Sequence, residues 1–262
     1  MAEKKRLQNL GNWLKFLGTA GARFVMIKQL RASGGIWLSF SGSNILIDPG
    51  PGSLVKCALS RPKLDPSKLD AIILTHKHLD HSNDINVMIE AMTGGGFKKR
   101  GRVFLPLDAL DVDAVVLRHA RNFPEEIVIL KENSQYEIGK IKFTTPKRQI
   151  HTVETYGLKF KLNETTLSLI TDTLYFKGIK DFYKADIIII NVVFYEPRPG
   201  VEHLSLQDAI TIIQEINPKI AILTHFGMTM LKAKPHDIAM RLTKELGINV
   251  IAAYDGMRFE LP

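Results

Sequence analysis

The chain has 262 residues, of which 45% are hydrophobic, so it can bury a full core and we expect a single domain over residues 1–262. Lys and Arg outnumber Asp and Glu by 35 to 27, and the net charge of +8 would attract phosphorylated or polyanionic substrates. The single cysteine, Cys57, excludes an internal disulfide and a thiolate metal cage, which fits a reducing cytoplasm.

The N-terminal segment is basic at its start and amphipathic from Leu7 to Phe16. It is too polar and too short for a secretory signal. A membrane or a second subunit could bind this segment, but we expect it to dock on its own domain. No later run is long enough to cross a bilayer, so the sequence predicts no membrane partner.

Strands and short helices are predicted through the first half. GGIWLSF and SNILIDPG indicate paired strands around a Ser-Gly turn, followed by a short helix at Leu54 to Leu59. AIILTH reads as a buried strand. Ser82 to Met92 has helical spacing, with Ser82 or Asn83 as the expected cap. Five further strands are predicted, at RVFLP, EIVIL, IKFTTP, TYGLKFKL and TLSLITDT.

The second half alternates strand and helix. DIIIINVVF and KIAILTHFG are predicted strands, while SLQDAITIIQEI and PHDIAMRLTKELG are predicted helices. NVIAAYDGMRFEL is predicted to close the chain as a strand or hairpin. Hairpin-rich stretches combined with strand and helix alternation favour an α/β fold in which two sheets pack face to face with helices outside.

The stretch LTHKHLDH, residues 74–81, holds three of the chain's eight histidines directly after an apolar strand. His76 and His78 can share one metal ion, and Asp80 and His81 can face a second. Imidazole and carboxylate ligands suit zinc, with manganese and iron as alternatives. A histidine-rich surface turn without metal is the competing interpretation.

Three more potential ligands follow predicted strands: His151, Asp172 and His225. Because ends of neighbouring strands lie on one rim of a sheet, residues far apart in sequence can meet there. Two cations a few ångströms apart can bind a water jointly and lower its pKa, so that hydroxide forms near neutrality. The ligand number fits two ions, with His76, His78 and His151 on one, Asp80, His81 and His225 on the other, and Asp172 between them.

The order HKHLDH, His151, Asp172 and His225 resembles the metallo-β-lactamase superfamily, and the likeness runs from about Phe16 to Glu260. The resemblance implies an αβ/βα four-layer sandwich, in which two mixed β-sheets are flanked by helices and the metals lie at the rim. Asp48 in LIDPG matches an aspartate that the family uses to support the metal loop rather than to bind metal.

Finer features resemble the branch that contains ribonuclease Z, which processes transfer-RNA 3′ ends, and the small cyclic phosphodiesterases of phosphonate breakdown. FLGTAGA and YDGM are similar to the branch's opening and closing segments. The HLS motif at His203 looks like its additional catalytic histidine, which stabilises the attacked phosphate or protonates the leaving oxygen. The alternative role for His203 is to cap the helix that begins at SLQDAI.

Some features depart from this branch. The interval between His151 and Asp172 is too short for the long projecting arm of the transfer-RNA enzymes. The phosphodiesterase side carries a cysteine-containing structural zinc site that one cysteine cannot reproduce. Iron-dependent flavoprotein reductases of the superfamily replace the second histidine of the cluster with a carboxylate, and His78 argues against them.

A glycine-rich basic loop, TGGGFKKRGR, follows the predicted helix after the ligand cluster. Lys98, Lys99 and Arg100 are candidates for contacting a phosphate or an RNA backbone. A solvated turn is the alternative, and the absence of a following GK[ST] excludes a P-loop.

The sequence therefore predicts a binuclear metal-dependent hydrolase, most consistent with a phosphodiesterase acting on RNA or a cyclic nucleotide. A metal-bridging hydroxide would be the nucleophile, with Asp80 and His203 as catalytic residues and His203 as general acid. The expected cofactors are two divalent ions, zinc first and manganese or iron as alternatives, and a homodimer is one candidate assembly. Thioester or lactone hydrolysis at the same site is the rival activity, and a non-catalytic binding protein is a third hypothesis.

Overall fold

The computed structural model describes residues 11–21 and 23–262, which form two seven-stranded mixed sheets. In spatial order, the first sheet contains β14 (Arg258–Glu260), β1 (Trp13–Phe16), β2 (Ile36–Phe40), β3 (Ser43–Ile47), β4 (Ala71–Ile73), β5 (Arg102–Leu105) and β6 (Glu126–Ile129). Strands β14 to β3 pair antiparallel, and β3 to β6 pair parallel.

The second sheet has the same mixed character. In spatial order it contains β13 (Asn249–Ala252), β12 (Ile220–Thr224), β11 (Ile187–Asn191), β10 (Thr165–Ile170), β9 (Leu158–Leu162), β8 (Ile141–Thr145) and β7 (Ser134–Ile138). Strands β13 to β10 pair parallel, and β10 to β7 pair antiparallel.

Side-chain alternation along the strands builds the core between the sheets. In β9, Leu158, Phe160 and Leu162 are buried, whereas the intervening Lys159 and Lys161 are more exposed. The apolar side chains of both sheets meet in one cluster. Strand β11 is instead continuously apolar until Asn191, because both of its faces are covered.

Helices cover the outer faces of the sheets. On the side of the first sheet, α2 (Ser53–Leu59) and α4 (Ile85–Thr93) pack on the outer face. Two short helices, α1 (Phe24–Ile27) and α3 (Leu79–Ser82), lie in the segments that follow β1 and β4. The helices on the side of the second sheet are α5 (Ile179–Tyr183), α6 (Leu206–Ile216), α7 (Met228–Lys232) and α8 (Pro235–Leu246). Each sheet has an outer apolar cluster with its helices. The predicted αβ/βα sandwich is therefore confirmed.

Two sequence predictions need correction. Ser82 ends α3 and donates its hydroxyl to the Lys77 carbonyl, so it closes the ligand loop instead of capping the next helix. Asp84 is the residue before α4, and neither Ser82 nor Asn83 caps it. The closing segment is not a hairpin, because β13 and β14 belong to different sheets.

The amphipathic N-terminal segment falls partly outside the described residues. Its last four residues, Trp13–Phe16, form β1 between β14 and β2, so this part docks on its own fold. Strand β7 was not predicted, because SQYEI carries three polar residues on an exposed sheet edge. Among the helices of the described residues, none is long and apolar enough to cross a bilayer.

The parallel strands set the position of the candidate site. Strands β3, β4, β10, β11 and β12 place polar residues at or just past their carboxyl ends, where the two sheets meet. These residues are Asp48, His76, Asp172, Asn191 and His225.

Candidate metal centre

The HKHLDH segment forms a tight loop between β4 and α3. The His81 N–H donates to the His78 carbonyl at 3.0 Å, and the Ser82 hydroxyl donates to the Lys77 carbonyl at 3.0 Å. His76, Asp80 and His81 are buried by this turn, whereas His78 is partly exposed. The loop therefore gathers three imidazoles and one carboxylate at the rim.

Three imidazoles form the first group of the site. His78 Nδ1 lies 3.1 Å from His151 Nε2. His151 Nδ1 lies 2.9 Å from the Glu202 carbonyl, to which it donates, so Nε2 is left free to accept. One nitrogen from each of His76, His78 and His151 lies within 4.8 Å of the others, a spacing that can hold a metal ion.

Two aspartates and two histidines form the second group. His225 Nε2 lies 3.4 Å from Asp80 Oδ2 and 3.4 Å from Asp172 Oδ2. His81 Nε2 lies 3.4 Å from the same Asp172 oxygen. These four side chains again offer ligand atoms within 4.8 Å of one another.

Asp172 lies between the two groups. Its Oδ2 is 3.8 Å from His76 Nε2 of the first group and 3.4 Å from the His81 and His225 nitrogens of the second. Its other oxygen accepts a hydrogen bond from Asn191 Nδ2 at 2.8 Å. Asn191 therefore orients Asp172, so that Oδ2 faces both groups.

Asp48 supports the ligand loop through contacts with Thr75 and His81. Its carboxylate accepts hydrogen bonds from the Thr75 N–H at 2.7 Å and the Thr75 hydroxyl at 2.8 Å, and it lies 2.9 Å from His81 Nδ1. Because a partner on one ring nitrogen fixes the tautomer, Nε2 of His81 is presented to the centre. Asp48 thus supports the loop rather than joining the ligand atoms, as the resemblance implies.

The backbone at the rim is also unusual. Asp48 has φ +53° and His225 has φ +60°, a region that residues other than glycine seldom occupy. Such conformations persist where the surroundings fix them, and they concentrate at functional sites. Neighbouring glycines permit this packing, because a Cβ on Gly35 would overlap the carbonyls of Ile47 and Asp48.

The buried ligand atoms lack hydrogen-bond partners, and this tests whether cations fit. Buried polar atoms normally have a partner, because desolvation without one is costly. Among the proposed ligands, two carboxylate oxygens and three ring nitrogens have none: Asp80 Oδ2, Asp172 Oδ2, His76 Nε2, His81 Nε2 and His225 Nε2. Nδ1 of the neighbouring His203 also has none. Divalent ions would satisfy these acceptors and separate the two carboxylates, so the residues fit a metal site.

The pKa values in the first group favour neutral imidazoles. Burial lowers the pKa of His76 well below its ordinary value, and burial also lowers the pKa of His78 and His151. A neutral imidazole is the form that binds metal. The first group is thus ready to bind a cation without releasing protons.

In the second group, the pKa values depend mainly on the interaction between the carboxylates and the imidazoles. Burial alone would lower the pKa of His225, but the adjacent Asp172 and Asp80 raise it to about 9. The pKa of Asp80 is lowered to about 2, because His81 and His225 outweigh the effect of burial. A cation bound here would replace the protons as the partner of both carboxylates, so metal binding should release protons.

His203 approaches the centre from the loop before α6. Its Nδ1 lies 3.5 Å from Asp172 Oδ2, and its ring centroid is 5.1 Å from that of His151. Ser205 and Asp208 form a capping box at the start of α6, so His203 does not serve as the cap. Its side chain is instead directed into the metal centre.

The basic loop lies elsewhere. Arg102 N–H bonds to the Asp70 carbonyl before β4, which places residues 94–101 at the amino edge of the parallel strands, opposite the ligand rim. Arg100 donates to the carbonyls of Ser67 and Leu69 and contacts the Asp70 carboxylate at 3.3 Å. The structure does not bring Lys98, Lys99 and Arg100 to the metal centre, and a substrate would have to be long to contact both.

Comparison with known proteins identifies the family. The family model described as beta-lactamase superfamily domain matches residues 43–226, more than half of the chain. The chain belongs to the metallo-β-lactamase superfamily. Within it, Uncharacterized protein MJ1374 of Methanocaldococcus jannaschii is 30% identical over 257 residues, covering 94% of each chain.

Two other similar proteins have names that refer to phosphate chemistry. Ribonuclease Z of Nanoarchaeum equitans is 24% identical, and the match covers 80% of this chain and 81% of the relative. A crystal structure of a diphosphatase from the PhnP family superposes with a TM-score of 0.70 at 21% identity, covering 96% of this chain and 98% of the other. The predicted resemblance to the superfamily is confirmed, with ribonuclease Z and PhnP-type proteins among the similar chains.

Sequence reasoning missed two groups that orient ligands in this metallo-β-lactamase fold. Asn191 supports Asp172, and its position at the end of β11 on the same rim could have identified it. The Glu202 carbonyl fixes the orientation of the His151 ring, but every residue type has a backbone carbonyl, so the sequence does not identify this acceptor. Both groups act on ligand orientation rather than on ligand identity.

Proposed function

We propose that this protein is a binuclear metal-dependent phosphodiesterase. In this proposal His76, His78 and His151 would hold one divalent ion, and Asp80, His81 and His225 would hold the other, with Asp172 between the two groups. The observation that carries the proposal is the convergence of buried, unpartnered carboxylate and imidazole atoms from both sheets. Nitrogen and oxygen donors of this kind suit zinc, with manganese or iron as alternatives.

Divalent ions bound there would supply a Lewis acid for the phosphate oxygens and would lower the pKa of the attacking water. The chain's own residues would hold the ligands of these ions in the required orientation. Asn191 and Asp48 lock Asp172 and His81 in orientation, so the ligand set is preorganised before substrate arrives. Asp80 is the carboxylate proposed to hold the attacking water and accept its proton.

His203 is the proposed general acid. Its Nδ1 points into the centre and lies 3.5 Å from Asp172 Oδ2, so a proton on this nitrogen would lie beside a carboxylate and the reacting groups. Transfer of this proton to the leaving oxygen would release an alcohol instead of an alkoxide. Such assistance is typically worth about 10²- to 10⁴-fold in rate.

Several features support a phosphodiester over a carbonyl substrate. The chain carries a net charge of +8, and a cation lies against the aromatic ring that packs on the proposed acid. The Arg198 guanidinium lies 5.8 Å from the centre of the Phe194 ring, and that ring packs 6.1 Å from the His203 ring. Arg198 is thereby available to a substrate phosphate oxygen, which an uncharged lactone or thioester does not offer. RNA and cyclic nucleotides are the proposed substrate classes.

The substrate class is tested with three model compounds on one metal-loaded preparation. Bis(p-nitrophenyl) phosphate, a p-nitrophenyl thioester and a homoserine lactone are compared by their kcat/KM values. The proposal expects the phosphodiester to be turned over, and 2′,3′-cyclic nucleotides and short RNA to be cleaved at the same site. Faster hydrolysis of the thioester or lactone, with no phosphodiester cleavage, would assign the rival activity. No turnover of any compound would favour a binding protein.

A further inference from the structure

A second concave site lies on the outer face of the first sheet. It is a pocket of about 320 Å³ lined by residues that include Lys15, Leu17, Lys56, Ser60 and Arg61. None of its lining residues belongs to the metal centre. Nothing in the proposed phosphodiesterase reaction uses this pocket.

Strand alternation and α2 build the pocket. In β1, Leu14 and Phe16 pack between the sheets, so Lys15 projects to the outer face. Helix α2 covers that face and ends at Leu59, so that Lys56 in the helix and Arg61 just after it line the same cavity as Lys15. Three cationic residues, from β1, α2 and the loop after α2, therefore line one cavity.

Lys15 is the unusual member of this group. It is only 6% exposed, and its ammonium makes one hydrogen bond, to the Arg61 carbonyl at 3.3 Å. An ammonium has three donors, and a buried charge is costly without partners. Burial and the neighbouring Arg258 both lower the pKa of Lys15. The fold thus holds a poorly partnered cation beside further cations.

The acidic residue at the pocket does not compensate this charge. Asp255 lines the cavity, but its oxygens accept hydrogen bonds from the Thr19 N–H at 2.9 Å, the Thr19 hydroxyl at 2.8 Å and the Ala32 N–H at 2.7 Å. Its carboxylate is therefore committed to tying the loop after β1 to the loop before β14. Among the described residues that line the pocket, no other carboxylate is present.

We propose that this pocket binds the phosphate group of a small phosphorylated molecule, with Lys15, Lys56 and Arg61 as its anchors. A tetrahedral dianion offers several acceptors at once, which matches the donors that the three cations leave free. The cavity has room for the phosphate and a small organic group attached to it. A concave site of this size suits a small ligand better than an extended nucleic-acid backbone. The inference is independent of the metal centre and of its substrate.

Tryptophan fluorescence can test the proposal, because the chain has two tryptophans and both lie close to Lys15. Trp37 is paired directly opposite Lys15, and Trp13 lies two residues before it in the same strand. The metal-loaded protein is titrated at constant ionic strength with inorganic phosphate and, separately, with glycerol 3-phosphate. A saturable change in emission with either compound is expected, and sodium chloride alone should not produce it.

Variants separate this pocket from the metal centre. Lys56→Gln and Arg61→Gln alter the pocket rim, and each should weaken phosphate binding at least tenfold. Lys15→Met should abolish it, while Lys244→Gln, on exposed α8, should leave it unchanged. Because Lys15 is buried, circular dichroism must show that Lys15→Met is folded, and the two rim variants test the proposal even if it is not.

Three outcomes would overturn the inference. The first is the lack of a saturable signal, and the second is equal phosphate affinity in the parent protein and both rim variants. The third is loss of the signal in Asp172→Asn, which would show that phosphate was binding at the metal centre. If a single-stranded oligonucleotide binds through the same three cations while neither phosphate compound competes, the site is a nucleic-acid surface and the small-molecule proposal is wrong.

Discussion

Asp48 Oδ2 lies 2.9 Å from Nδ1 of His81, and this contact directs the other nitrogen of His81 to within 3.4 Å of Asp172. The same carboxylate also accepts two hydrogen bonds from Thr75. One residue that is not a proposed ligand therefore fixes both the loop and the orientation of an imidazole within it.

Asp48→Asn should weaken metal binding without removing a ligand. An amide cannot accept from all three donors as the carboxylate does, and loss of such a supporting group typically costs about 10- to 100-fold in metal affinity. Competition against a chromogenic zinc chelator measures the change. Asp65→Asn, which alters an exposed helix cap far from the rim, serves as the matched control. Equal affinity in Asp48→Asn and the parent protein would contradict the supporting role.

The purified protein should bind two divalent ions per chain. Elemental analysis after dialysis against zinc is expected to give near two equivalents, falling to about one or less in His225→Ala. His203→Ala should keep both ions, because His203 is not a proposed ligand. One equivalent or none in the parent protein would remove the binuclear mechanism.

His203→Ala should slow turnover according to the leaving group. Loss of a general acid is expected to lower kcat by about 10²- to 10⁴-fold on a phosphodiester with an alcohol leaving group. The loss should be much smaller for p-nitrophenolate, which leaves without protonation. Steady-state kinetics on both substrates measure this difference. A uniform decrease on both would assign His203 to positioning instead.

Arg198→Gln should raise KM for phosphodiesters several-fold, with a smaller effect on kcat. The guanidinium stands beside Phe194 and is proposed to bind the substrate phosphate before reaction. Arg241→Gln removes an equivalent charge from exposed α8, where Arg241 pairs with Glu245 at 3.7 Å, and should leave KM unchanged. If both variants raise KM alike, the effect comes from net charge alone.

Asp186 should contribute to stability in a pH-dependent manner. Its carboxylate accepts hydrogen bonds from the Thr166 hydroxyl at 2.7 Å and the Thr166 N–H at 2.9 Å, which with Lys219 lower its pKa to about 2. In an unfolded chain the pKa of Asp is about 3.9. Because the folded value is lower, the stabilisation is complete above the unfolded pKa and is lost as the pH falls toward 2.

Urea unfolding of the parent protein and Asp186→Asn measures this contribution. The free-energy difference between the two should be larger at pH 6 than at pH 2.5. Thr166→Val removes the hydroxyl donor and should reduce the pH dependence in the same direction. A difference that is constant over this pH range would show that the contribution of Asp186 is not electrostatic.

Much of the rim could be predicted because strand ends are readable in the sequence. TLSLIT and KIAILT are apolar runs that stop at Asp172 and His225, and parallel strands place such stops on one edge. The fold class followed from the alternation of strand and helix and from the family resemblance. The sequence therefore indicates which residues end the strands, and packing in the folded chain determines which of these residues meet.

Other features depend on contacts between distant segments. The closing segment is divided between the two sheets, and Asp255 holds the part between β13 and β14 in place. Its carboxylate accepts hydrogen bonds from the N–H groups of Thr19 and Ala32, more than 200 residues earlier. No local pattern distinguishes this tether from an ordinary turn aspartate. Likewise, the placement of Arg100 at the far edge follows from the pairing of β4 with β5, in which Ala71 lies opposite Arg102, and composition does not show this pairing.

The proposed ligands divide between the two halves of the sandwich, since the loop at residues 76–81 follows a strand of the first sheet, whereas Asp172 and His225 follow strands of the second. During synthesis, a ribosome-bound chain could not complete the centre until β12 had emerged and closed against the earlier half. Capture of the second ion would therefore occur late and would fasten the two halves together, so that a truncated or half-folded chain would carry no catalytic activity.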